Sequence, residues 1–327
     1  MSGRPVTTEP RSRAISSVPL RLWRRYRNII AGESPKDNAA VPTEESSAAY
    51  WSRCNVTNHH PFATDKESLD YFEWRCALYS NYIESMPVNE ATGLDVMDYG
   101  CGPGHDLVGF WCHSQPRRLV GVDVSPTSLA EARERLKLHA ASAEFVLIHE
   151  DDPRLPFEDA SFDLVHSSGV LHHAPAPLSI LREIRRVLRP SGHAQIMVYN
   201  FDSIFVRLGV AYQLMLIDGE SKNGSLAEAF QRSTDGPECP ISRYYTADEF
   251  SALAREAGFS CALRGVGIST WEMQLLPKRF DALTDRRLAP EHRQFLYDLG
   301  FDQRGRPTYG GQIAGIDACY RLTPLAG

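Results

Sequence analysis

Four short stretches of this 327-residue sequence hold the residue types and spacings that could do chemistry. The first is a run of apolar residues ending at Asp98 that enters a turn built from Gly100, Cys101, Gly102 and Gly104 and then opens a helix at His105 and Asp106. Glycines in such a turn let the chain reverse sharply and let a ligand come close to the backbone. The second is Asp123, in Gly-Val-Asp-Val-Ser, about 20 residues past the turn, where a carboxylate can accept from both hydroxyls of a ribose. The third is the acidic run Glu150, Asp151, Asp152, followed by Leu155-Pro-Phe157. The fourth is Ser167, Ser168, His172 and His173, directly after an apolar strand. A histidine there could act as a general base at neutral pH, because its ordinary pKa is about 6.5, or could simply orient a loop. The glycines are spaced GxGxG, with His105 where a dinucleotide-binding turn would place its third glycine, which disfavours a hydride-transfer enzyme.

Strand and helix patterns alternate around these residues. Strands are expected over 95–99, 118–122, 144–149, 162–167 and 193–200, with helices over 104–112, 126–140 and 178–188. Ser125 followed by Pro126 marks a helix start, and Pro190 with Gly192 marks a stop. This βαβ alternation implies a parallel sheet with helices on both faces. The rhythm breaks after Asn200 with an apolar helical segment over 205–217 and a polar loop over 218–240. It resumes with a capping box at Thr246 to Glu249, a helix ending near Gly258 and a closing strand over 312–322.

On these residues the chain resembles the class I S-adenosylmethionine-dependent methyltransferases, especially the group that includes the ubiquinone and menaquinone biosynthesis enzymes. The resemblance covers roughly residues 94–200 and, more loosely, 244–259. It implies a Rossmann-like three-layer α/β/α fold with a mostly parallel seven-stranded sheet, an N-terminal helical lid and an insertion after the fifth strand. It also implies S-adenosylmethionine as cofactor. By that resemblance Gly100, Cys101, Gly102 and Gly104 wrap its methionine part, with Asp98 and Asp106 beside the loop. Asp123 holds the ribose, Asp151 accepts from the adenine amino group with Asp152 beside it, and Val122, Val124 and Leu155 flank the ring. Ser168, His172 and His173 face the reacting methyl group.

The acceptor pocket is expected between Tyr50, Trp51 and a helix over 65–86 on one side, and the insertion with Arg243, Tyr244 and Tyr245 on the other. Arg243 could pair with an acidic acceptor, the two tyrosines could hydrogen-bond it, and Tyr212 lies in the apolar part of the insertion. The expected units are therefore an arm over 1–45, a lid over 46–90 and a methyltransferase domain over 91–327 containing a substrate cap over 201–245.

The remaining features bound the function. Residues 1–30 carry seven arginines against one acid, while the whole chain has a net charge of −6, so the main body offers no footprint for nucleic acid. Leu22, Trp23, Tyr26, Ile29 and Ile30 share one helical face opposite arginines, a pattern that fits packing on the protein itself, a dimer mate or an anionic membrane. Seven scattered cysteines without a CxxC pair, and no apolar leader behind the N-terminal arginines, point to a reducing, cytoplasmic setting. No histidine or cysteine group has the spacing of a metal site. A small organic acceptor, lipid-like, glycan-linked or a secondary metabolite, is expected, with oxygen favoured as the methylated atom. An NAD-dependent oxidoreductase and a cofactor-binding protein without catalysis are the alternatives.

Overall fold

The computed structural model describes residues 46–54, 61–220 and 224–325. The basic segment over 21–30 lies outside the described residues. In chain order the strands are β1 (Tyr79–Ser80), β2 (Asp95–Tyr99), β3 (Arg118–Asp123), β4 (Glu144–Leu147), β5 (Phe162–Ser168), β6 (Leu188–Tyr199), β7 (Phe259–Ser269), β8 (Gly300–Phe301), β9 (Pro307–Tyr309), β10 (Gln312–Ile313) and β11 (Asp317–Pro324).

The main sheet has the order β1-β7-β11-β6-β5-β2-β3-β4. Strands β6, β5, β2, β3 and β4 pair in parallel, and β11 runs antiparallel between β6 and β7. This is the expected three-layer arrangement with eight strands rather than seven, because Tyr79 and Ser80 add a short antiparallel edge to β7. Every residue of β2 is buried, as suits a parallel strand covered on both faces. The helix Pro177–Val187 buries Ile180, Leu181, Ile184 and Val187 against the sheet, a single 3.6-residue stripe. Ser125 accepts from the Ser128 amide at 3.1 Å and Pro126 opens the helix Pro126–Leu138, so that start was readable from two residues.

From β2 the chain steps outward to β3 and β4 and then returns to β5 on the other side of β2. The carboxyl ends of β2 and β5 therefore flank the point where the winding reverses, and the glycine turn and the histidine pair leave the sheet there. Open α/β sheets bind ligands at this position because the two diverging loops leave a crevice.

Three expectations differ from the structure. The helix over 65–86 is divided into Asp65–Leu78 and Tyr82–Ser85, because Asn81 adopts the left-handed conformation at φ 73° and Tyr79 pairs with Ser269. The closing strand over 312–322 is also two pieces: Gln312–Ile313 belongs to a separate three-stranded sheet with β9 and β8, and β11 begins only at Asp317. Between β7 and β11 lies an excursion with helices Arg279–Thr284 and Pro290–Asp298 that the sequence pattern did not reveal. Its Leu288, Phe295 and Leu296 form a second core with Ile204, Leu208 and Tyr212 of the insertion. Of these insertion residues, Leu208 and Tyr212 belong to a π-helix, Phe205–Ile217, and Ile204 caps its start.

Candidate active site

Gly100, Gly102 and Gly104 have φ of 75°, 50° and 79°, all in the region that side chains disfavour. A Cβ on Gly104 would meet Leu136 and Ala132 at 3.1 and 3.2 Å, whereas one on Gly102 would meet nothing within 4 Å. Gly104 thus permits close helix packing and Gly102 leaves the backbone open to a ligand. Asp123, at the carboxyl end of β3, accepts from the Gly102 and Ser125 amides at 2.8 Å each. Burial raises its pKa and these amides oppose the rise. Its remaining lone pairs suit two hydroxyl donors. Cys101 is buried under the loop, Val124 packs against the main core and Leu155 is buried. Asp151 and Asp152 are exposed in the following turn, where Asp152 accepts from the Arg154 amide at 3.0 Å.

Beneath the loop lies a buried charge network. Arg75, on the helix Asp65–Leu78, donates to both oxygens of Asp106 at 2.7 and 3.0 Å, and His166 Nε2 lies 3.5 Å from the same carboxylate. Burial alone would raise Asp106, but Arg75 and His166 hold it well below the usual carboxylate range. Asp98 has no such cation of its own, so burial pushes it up to about 7. Ser168 shares a 2.6 Å hydrogen bond with Tyr82, the first residue of the helix Tyr82–Ser85.

The two histidines are adjacent but chemically opposite. His173 Nδ1 donates to the Ile241 carbonyl at 2.7 Å and Nε2 faces Asp235 at 3.2 Å, so both nitrogens carry protons. Burial opposes that charge, yet Asp235 carries the His173 pKa up to about 10. His172 is fully buried, and neither of its ring nitrogens has a hydrogen-bond partner among the described residues. Burial and the neighbouring cation push it well below its ordinary value, so it is neutral. It stacks on Tyr199 at the end of β6, with ring centroids 3.7 Å apart.

The N-terminal helix Ser47–Arg53 closes over this cluster. Tyr50 donates to the Asp235 carbonyl, and the Trp51 ring lies 4.9 Å from that of His173. A Cβ on Gly236 would stand 2.7 Å from the Tyr50 hydroxyl, so glycine is what admits the tyrosine. Arg243 is committed locally: its guanidinium donates to the Ala174 carbonyl at 2.6 Å and its amide to the His172 carbonyl at 3.1 Å. Tyr245 zips its backbone to the end of β6 and Tyr244 packs on Phe201 and Phe230. Tyr212 is not brought to this cluster, because it is packed in the second core.

Sequence reasoning missed Arg75, His166, Tyr199 and Asp235. Asp235 had one usable signal: it precedes Gly236 in a polar loop, and the structure holds it at φ 55°, a conformation that non-glycine residues adopt mainly in special turns.

Residues 97–196, from β2 to β6, match the family model described as a methyltransferase domain. This core is thus matched as a methyltransferase domain, and it resembles those of the class I S-adenosylmethionine-dependent enzymes. Its cofactor is S-adenosylmethionine, and the open backbone at Gly102 beside the Asp123 carboxylate fits that molecule's amino acid and ribose. The chain is 33% identical over 147 residues to an uncharacterized 37.1 kDa protein in a transposon of Streptomyces fradiae, covering 43% of this chain and 41% of that one. It is 29% identical over 134 residues to a 27-O-demethylrifamycin SV methyltransferase of Amycolatopsis mediterranei, covering 41% and 48%. A malonyl-[acyl-carrier protein] O-methyltransferase of a Marinomonas species is 32% identical over 134 residues, covering 40% and 47%. The chain thus spans about two fifths to a half of the length of these relatives. Among the described residues no helix is long and apolar enough to cross a membrane.

Proposed function

We propose that this protein transfers a methyl group from S-adenosylmethionine to an oxygen of a small organic acceptor, with His172 as the general base. The cofactor, when bound, supplies an electrophilic methyl group on a sulfonium. Gly100, Gly102 and Gly104 form its cradle, with Asp98 and Asp106 beneath the loop, and Asp123 holds its ribose. Asp151 and Asp152 stand in the turn expected at the adenine.

The observation that carries the acceptor half is the divergence of the two histidines. His172 is buried, neutral and unpartnered among the described residues, while His173 is a fully bonded cation. A neutral imidazole with both ring nitrogens unbonded can accept a proton, and the burial and neighbouring cation that keep it neutral make it a weaker base than a free histidine. His172 can take the proton that an acceptor hydroxyl releases as it attacks. His173 and Asp235 fix the short helical turn Leu171–His173 on which it sits. Tyr199, stacked on His172, sets the ring plane, and Tyr50, Trp51, Arg243 and Tyr245 hold the surrounding walls. One relative is named as an O-methyltransferase and another as a methyltransferase of a 27-O-demethyl compound, which supports oxygen here.

Parallel calorimetric titrations of the protein with S-adenosylhomocysteine and with NAD test the cofactor half. Binding of the first ligand alone, weakened in Asp123→Ala, is the expected result, and binding of NAD alone overturns the reading. For the acceptor half, labelled methyl transfer from S-adenosylmethionine into a pool of small hydroxylated compounds is expected from the natural protein and not from His172→Gln.

A further inference from the structure

Asp317, the first residue of β11, lies opposite Tyr199 of β6 at the carboxyl edge of the sheet. It is 3% exposed, and among the described residues its carboxylate has no hydrogen bond and no ion pair. Buried carboxylates ordinarily accept two or three hydrogen bonds or pair with a cation, because an isolated one is costly. The cation that acts on it, Arg75, is already bonded to Asp106. Glu272 and Asp235 add negative potential around Asp317, which burial and Glu272 together push well above the usual carboxylate range. Glu272 Oε2 accepts from the Ser269 amide and hydroxyl at 2.8 and 3.0 Å, and its Oε1 is buried without a hydrogen-bond partner among the described residues.

The surroundings are aromatic as well as acidic. In β7, Gly267 faces this carboxylate, and a Cβ there would meet the Cβ atoms of both Asp317 and Tyr82 at 3.3 Å. The glycine lets the acid and Tyr82 converge on one side of the sheet. Tyr79 and Tyr199 lie within electrostatic reach of the carboxylate. A carboxylate among tyrosine rings, in a negative local field, complements a cation with polar hydrogens and repels an anion.

We propose that Asp317, with Tyr79, Tyr82 and Tyr199, anchors a protonated amine on the acceptor. This deepens the methyl-transfer reading and rests on it. An ammonium held by Asp317 has no lone pair, so it is an anchor and not the nucleophile. The attacking atom is then a hydroxyl elsewhere on the same molecule, within reach of His172. The acceptor class is a small hydroxylated amine.

The test uses the full-length protein and two probes of equal shape, benzylamine and benzyl alcohol, titrated with and without saturating S-adenosylhomocysteine. The expected result is about a tenfold or greater preference for the amine, equivalent to about 1.4 kcal/mol. In Asp317→Asn that preference falls to within about twofold while S-adenosylhomocysteine binds as before. Should the amide variant not fold, Asp317→Ser is read in the same way. Equal binding of the two probes to the natural protein, or a preference that survives both substitutions, overturns the proposal. Failure of S-adenosylhomocysteine to bind overturns the cofactor reading instead, and the ratio of the two probes still decides the role of Asp317.

Discussion

The end of this sheet proposed for the cofactor and the end proposed for the acceptor are built by different means. At the cofactor end, one contiguous turn and one carboxylate 21 residues after Gly102 make the site, and the decisive feature is the backbone path set by three left-handed glycines, whose amides bond within the protein. At the acceptor end, Tyr50, His172, Tyr199, Asp235 and Asp317 come from five separate segments and meet only through the fold. A site made of backbone is fixed by local sequence, whereas a site made of side chains depends on long-range packing. The contrast also implies different failures: the cofactor end should lose affinity when altered, and the acceptor end should lose rate or stability.

The largest effect should sharpen that contrast at His172. Replacing it with glutamine removes the neutral base of the cluster, so methyl transfer should fall by roughly 10²–10⁴-fold. Affinity for S-adenosylhomocysteine should stay within about twofold, because that ligand is held at the other end. Equal loss of both quantities would break the comparison.

Next in size is the His173–Asp235 pair. Asp235→Asn leaves a buried cation without its counter-charge, at a cost of about 3–5 kcal/mol, read as a lowered denaturant midpoint. The pH dependence follows from the same pair. His173 has a folded pKa of about 10, raised above its ordinary value, so its contribution is complete below about pH 6.5 and is lost as pH rises toward 10. Asp235 is depressed in the folded protein, so its contribution is present above about pH 4 and is lost as the solution is acidified below that. Stability should decline across the alkaline range in the natural protein, and this decline should be largely absent in Asp235→Asn.

A smaller effect tests the cofactor end. Asp123→Ala removes the acceptor for the ribose hydroxyls and frees the Gly102 amide, so S-adenosylhomocysteine should bind about 10- to 100-fold more weakly, or about 1.4–2.8 kcal/mol. The ratio between benzylamine and benzyl alcohol should be untouched.

The same contrast explains which features are legible in the sequence. The glycine turn, Asp123 and the Ser125-Pro126 helix start carry their meaning within a few residues, and the strands from β2 to β6 follow because each is an apolar run bounded by turn residues. Tyr79 could not be separated from the helix preceding it, since the interruption depends on Ser269, far along the chain. Asp235 looked like an ordinary loop acid because its partner His173 lies 62 residues earlier in sequence. The excursion between β7 and β11 is held by Phe295, Leu296 and Tyr212 packing across segments, and its short strands of two or three residues give almost no periodic signal.

Tyr50 provides the smallest and most discriminating change, because its hydroxyl joins the N-terminal helix to the Asp235 loop, away from the cofactor end. Tyr50→Phe keeps the buried ring and its edge-on contact with Trp51 but leaves the Asp235 carbonyl without that donor. The loss should be about 1 kcal/mol, seen as a modest fall in denaturant midpoint. If the helix is a wall of the acceptor pocket, KM for the acceptor should rise by a few-fold while kcat and S-adenosylhomocysteine affinity hold. A fall in kcat comparable to that of His172→Gln would instead mean that the helix positions the base itself, and the acceptor end would then extend to residues N-terminal to the matched domain.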